Sequence, residues 1–233
     1  MKEGIRIVLA LDTATTACSV ALTVDGEVAA ARHEEMSHGQ AERLNPMIGE
    51  VMAEAGRGLA ALDLIAVTIG PGAFTGLRIG LACARALALA TDRPVAGVTT
   101  FAALAAAVPD DERAARDLAV CVNARRRDVF VQWFDAARQP VGAPFSLTPE
   151  AAVDAFADGA VLLAGDGVGL IADSLRASGG AASDPSARIR FSSALGPPDA
   201  RHVARLGAAA GPSEPLPRPF YIRPADARLP GAR

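Results

Sequence analysis

Asp12 closes an apolar run over residues 5–11 and opens a small polar turn, Asp12-Thr13-Ala14-Thr15-Thr16. A carboxylate at the end of a buried strand either coordinates Mg²⁺ beside a nucleotide phosphate or caps its own turn. A second apolar run, 62–69, ends in Gly70-Pro71-Gly72-Ala73-Phe74-Thr75-Gly76. Strand, glycine loop and helix in that order aim backbone N–H groups at an anion, so Asp12, Gly70 and Gly72 are candidate phosphate or nucleotide residues. The spacing G-x-G-x-x-x-G is one residue too long for a dinucleotide fingerprint, and no Lys follows to make a P-loop. Gly165-Asp166-Gly167-Val168-Gly169 also misplaces its third glycine and reads as a turn. Arg125-Arg126-Arg127 is the one basic cluster, either a solvated hairpin tip or a contact for a tRNA phosphate backbone. The only histidines, His33, His38 and His202, lack metal-ligand spacing, and no Ser or Cys carries the signature of an activated nucleophile. Neither a metal nor a cofactor is expected.

Composition narrows the classes further. The 233 residues suit one to two domains at roughly 150 residues each. Hydrophobic residues make up 51%, which excludes disorder over most of the length, and alanine supplies much of that share, so the core should use small side chains and closely approaching backbones. The net charge of −3 argues against a protein that holds nucleic acid alone, and 4% aromatics argues against a base-stacking platform. Cys18, Cys83 and Cys121 are odd in number and far apart, as in a reducing cytoplasm. The longest low-charge stretch, 79–90, includes Arg85 and falls short of the roughly twenty apolar residues that cross a bilayer, so a soluble cytoplasmic chain is expected.

The elements that would position these residues follow from periodicity. Strands are expected at 5–11, 19–24 and 28–32, with Asp25-Gly26 turning a hairpin. Ser37 and Gln40 have the spacing of a capping box for a helix over 39–54, whose apolar face is Leu44, Met47, Ile48, Val51 and Met52. Pro46 either kinks that helix or restarts it. A strand at 62–69 leads into a helix over 76–90, on which Gly76, Gly80, Ala84 and Ala88 form a small-residue stripe and Arg78 and Arg85 a polar one. A strand at 94–98 and a helix at 100–108 complete a first domain, 1–108. The second, 109–233, opens with strands at 118–122 and 129–134 and ends in a proline-rich tail that packs back on the first.

Several segments together resemble the YeaZ/TsaB family. They are Ile7-Val8-Leu9-Ala10-Leu11-Asp12-Thr13-Ala14-Thr15 with Cys18-Ser19-Val20-Ala21-Leu22, and Gly70 through Leu77-Arg78-Ile79-Gly80. Pro94-Val95-Ala96-Gly97-Val98-Thr99-Thr100, Asn123-Ala124-Arg125 with Val129-Phe130, and Phe220-Tyr221-Ile222-Arg223 follow in order. The resemblance implies an α/β actin/Hsp70-like (ASKHA) fold of two RNase H-like domains with mixed sheets. It also implies a non-catalytic scaffold in bacterial tRNA threonylcarbamoyladenosine (t6A) modification. Its partners would be a catalytic threonylcarbamoyltransferase paralogue (TsaD type), which modifies adenosine 37, and an ATPase subunit (TsaE type). It would form a homodimer when alone, meet tRNA only through the complex, and meet no membrane.

The paralogue's two metal-binding histidines correspond to Thr100 and Leu104 here, neither of which supplies an imidazole. Many relatives carry a His where this chain has Gln40. On this reading the docking face is Leu44, Met47, Ile48, Val51, Gly76, Gly80, Ala84 and Ala88. Gly80→Leu would then abolish docking and spare the fold. The alternative is a small ATP-dependent kinase of the same fold using Asp12 and the glycine loops.

Overall fold

The computed structural model describes residues 4–113, 116–125, 128–156, 159–177 and 188–223. The chain folds around two five-stranded mixed sheets of the same design. The first is built from β1 (Ile7–Asp12), β2 (Ala17–Val24), β3 (Glu27–Glu35), β4 (Leu64–Gly70) and β5 (Val95–Thr99), in spatial order β3-β2-β1-β4-β5. The second uses β6 (Asp117–Asn123), β7 (Val129–Phe134), β8 (Pro140–Leu147), β9 (Val161–Ala164) and β10 (Ile189–Phe191), in order β8-β7-β6-β9-β10. In each, a three-strand antiparallel meander continues into two parallel strands added through helices. This is the duplicated RNase H-like order. Asp25 (φ 52°) and Gly26 (φ 88°) supply the two left-handed residues of the first hairpin.

The first sheet is covered on one face by α1 (Gln40–Glu54) and α2 (Phe74–Thr91). Its other face is covered by α3 (Thr100–Ala107) and α6 (Ala200–Ala210). That second layer is largely alanine: Ala10, Ala21, Ala66 and Ala96 of the sheet meet Ala103, Ala200, Ala204 and Ala208 of the helices. At Gly207 even a Cβ would come within 2.6 Å of the Ala66 Cβ, so α6 lies against the strands at a distance only small residues permit. In the second half, α4 (Pro149–Ala155) and α5 (Val168–Ala177) cover one face of the sheet, with Phe156 and Ile171 in the core, while α3 is shared through Phe101 and Leu104 with the other face.

One local expectation is corrected. Ser37 does not cap α1: the cap position is Gly39 in the left-handed region (φ 93°), with no side-chain hydrogen bond. Ser37 Oγ pairs with His38 Nδ1 at 2.8 Å, and Gln40 Nε2 donates instead to the Met36 carbonyl at 3.1 Å. Gly adopts positive φ without steric cost, so the backbone turns into α1 with no need of a capping box. Pro46 lies inside α1, which continues without interruption for 15 residues.

The tail crosses both halves. Ser213 N–H donates to the Val95 carbonyl (2.9 Å), Phe220 N–H to the Ile69 carbonyl (2.7 Å), and Arg85 Nη2 to the Pro217 carbonyl (2.7 Å). Phe220 and Ile222 then pack into the core of the second half, and Arg223 pairs with Asp128 and reaches Ser146 Oγ.

Candidate functional site

The loop after β4 packs on the end of β1, and the loop after β9 on the end of β6. Asp12 is fully buried at the end of β1: its Oδ1 accepts from Thr68 Oγ1 (2.6 Å) and from the Ala14 N–H (3.2 Å). Its Oδ2 has no partner among the described residues. Burial pushes this carboxyl up to about 7, against the Thr68 and Ala14 hydrogen bonds that lower it, and the charge of Asp166 adds to the rise. Asp166 receives the Asn123 N–H at 3.0 Å, and burial lifts it to about 6.

The glycine loop is spent on close packing. A Cβ on Gly72 would lie 2.2 Å from the Ala14 carbonyl oxygen, and one on Gly70 2.5 Å from that of Phe220. The Ala73 N–H donates to the Ala14 carbonyl (2.7 Å), while Thr13 Oγ1 donates to the Gly76 carbonyl (2.7 Å). The loop therefore clasps the β1–β2 turn and the tail, and the Ala73 N–H is already committed. Arg125 is exposed with φ 61°, its N–H held by Asn123 Oδ1 at 2.8 Å. It lines an open cavity of about 500 Å³ with Thr15, His38, Gln40 and Thr75. Arg126 and Arg127 lie outside the described residues.

The positions implied to have lost histidines sit on α3. Thr100 is fully buried, its hydroxyl unpartnered among the described residues, and Leu104 is buried beside Phe101 and Val120. No group of three His, Cys, Asp or Glu able to hold a metal ion forms among the described residues. His33, on β3, lies 4.0 Å from Asp199 at the head of α6.

The residues read as a docking face lie on the inner sides of their helices. Leu44, Met47, Ile48 and Val51 are buried against the first sheet, as are Gly76, Gly80 and Ala84, and Ala88 is half-buried. These side chains fasten α1 and α2 to their own domain. A Cβ at Gly80 would meet Thr13 Oγ1 at 2.7 Å, so Gly80→Leu overpacks the interior and cannot test docking alone. What faces outward is a shallow groove between the two helices, about 500 Å³, lined by Ala41, Asn45, Ile79, Ala82, Cys83 and Ala86 among others. Leu89 beyond it is 89% exposed. The sequence hid this face because, apart from the Arg78 and Arg85 stripe, small apolar residues on the inner and outer sides of α2 look alike. Over its 18 residues the mean hydropathy is 1.3 with only 28% buried, making it the one described helix long and apolar enough to cross a membrane by length and composition.

The family model described as TsaD, tRNA N6-adenosine threonylcarbamoyltransferase, matches residues 27–178. The tRNA threonylcarbamoyladenosine biosynthesis protein TsaB of Escherichia coli is 38% identical over 135 residues, 58% of this chain and 57% of that protein. Its namesake in Haemophilus influenzae is 38% identical over 122 residues, 52% and 51%. The chain thus aligns with little more than half the length of these curated relatives. Among solved structures, YeaZ from Pseudomonas aeruginosa is 31% identical with a TM-score of 0.74, covering 93% of this chain and 100% of that one.

Proposed function

The chain belongs to the YeaZ/TsaB family with the actin/Hsp70-like fold, and from that premise we propose that it is a non-catalytic scaffold of tRNA threonylcarbamoyladenosine biosynthesis. On this reading it docks a threonylcarbamoyltransferase paralogue, joins an ATPase subunit in the same assembly, pairs with itself when alone, and acts in the cytoplasm. The observation that carries the reading is the outward face of α1 and α2. Groups as apolar as Ala82, Ala86 and Leu89 stay in water unless another protein covers them. A smooth alanine groove suits a second helix laid at close range.

A membrane is a poorer cover for α2. Gly76, Leu77, Gly80, Leu81 and Ala84 are already buried in its own domain, and Arg78 and Arg85 interrupt the span. Thr100 and Leu104 support the absence of a metal centre, since neither side chain replaces an imidazole, and the clasped glycine loop gives the kinase alternative little to hold a phosphate with. The free thiols Cys18, Cys83 and Cys121 suit a reducing compartment.

Ala86→Arg tests the reading, because Ala86 is exposed in the groove and contributes nothing to the core. Tagged wild-type chain is expected to co-purify with the transferase paralogue, and the variant to lose it at an unchanged melting temperature. Equal recovery of the paralogue by both would overturn the docking assignment.

A further inference from the structure

Few as the aromatics are, the fold brings two of them together on the surface. Phe74 opens α2 and Tyr221 ends the tail strap; their rings stack with centroids 5.6 Å apart at 27°. Phe74 is 44% exposed and Tyr221 38%, so the pair is not buried as a core contact would be. Arg78, one turn along α2, places its guanidinium 3.7 Å from the Phe74 centroid.

The strap runs antiparallel to α2, since Tyr221 lies beside Phe74 while the Pro217 carbonyl receives Arg85, eleven residues further along the helix. Two more arginines belong to the same segments: Arg85, three turns along α2 from Phe74, and the exposed Arg218, next to Pro217 in the strap. At 1.5 Å per residue the track from Phe74 to Arg85 is about 16 Å long. None of Arg78, Arg85 and Arg218 makes an ion pair among the described residues, in contrast with Arg6, Arg32, Arg43, Arg138 and Arg201, each of which holds a carboxylate. Three guanidiniums with no carboxylate partner among the described residues, beside an exposed aromatic stack, match a strand of phosphates carrying unstacked bases. An acidic peptide would use the charges and leave the rings idle.

We propose that this track, Tyr221–Phe74–Arg78–Arg85–Arg218, binds an unpaired segment of RNA, with a base stacking on the ring pair and the guanidiniums on the phosphates. The choice of tRNA as its source rests on the function proposed above. There tRNA reaches the chain through an assembly; the track gives the chain a contact of its own, local and weak, compatible with a net charge of −3.

The test is fluorescence anisotropy of the whole chain with a labelled tRNA stem–loop and with a fully paired duplex of equal length, across a salt series. The expected result is tighter binding of the stem–loop, with a log–log salt slope of about −2 from three phosphate contacts on single-stranded RNA. Arg218→Gln should make the slope shallower by about 0.7. Tyr221→Leu should weaken binding roughly tenfold and leave the slope alone. No stem–loop binding at low salt, equal affinity for the duplex, competition by poly-glutamate as strong as by RNA, or indifference to Arg218→Gln would each overturn the proposal. Because Ala86 lies off the track, loss of RNA binding with paralogue capture intact would fault this inference and leave the docking reading in place.

Discussion

Asp12 shows how far a single residue's neighbours can reverse its apparent role. In sequence it is an acidic residue at a strand end, open to either cation binding or turn capping. In the fold it holds Ala14 and Thr68 through one oxygen and leaves the other buried without a partner among the described residues. Its pKa rises from 3.8 to about 7, so between those values the folded chain keeps a proton that the unfolded chain has released. Stability therefore falls as pH climbs through that window and levels off above it, by on the order of 4 kcal/mol for this group. Asp12→Asn keeps the Oδ1 acceptor and removes the titration. Urea midpoints measured from about pH 5 to 8 are expected to decline in the wild type and to decline much less in the variant, the remainder coming from Asp166 with its pKa near 6. Parallel declines would contradict this account of Asp12. Burial and the Thr68 hydroxyl, 56 residues away in sequence, decide the matter, and neither is visible in a local motif.

Secondary elements were more legible than the surfaces they present. The strand runs, the Asp25-Gly26 hairpin, the glycine loop and the helices over 39–54 and 76–90 all have local signals, and they lie within three residues of the ends of β1–β5, α1 and α2. The inner face of α1 was readable because polar residues alternate with it; that of α2 was not, since Ala82 and Ala86 outside resemble Ala84 inside. The tail is legible as proline-rich and as packing back on the first domain, and its path is not. Its course is set by contacts far off in the chain, with the Ile69 carbonyl and Arg85 on the first half and the aromatic core of the second. Phe220 is the point where it passes between them, so Phe220→Ala is expected to lower stability by about 2 kcal/mol, less than a fully buried ring would cost because this one is only half-buried. A chemical-denaturation midpoint unchanged from wild type would show that the strap is not a structural part of the molecule.

At the scale of the whole molecule, one sheet design occurs twice, with α6 and the tail reaching back from the second half onto the first. The duplication is invisible in the residues, because the two halves share strand order and not side chains. As a scaffold, this molecule would supply a surface and no chemistry. The most direct measurement is threonylcarbamoyladenosine formed on tRNA by the transferase paralogue and the ATPase subunit, with this chain omitted, added, or added as Asp12→Asn. Product that requires the chain, and forms equally well with the Asp12→Asn variant, is the expected result. Product formed by this chain without the paralogue, or lost with Asp12→Asn while the complex still assembles, would contradict it.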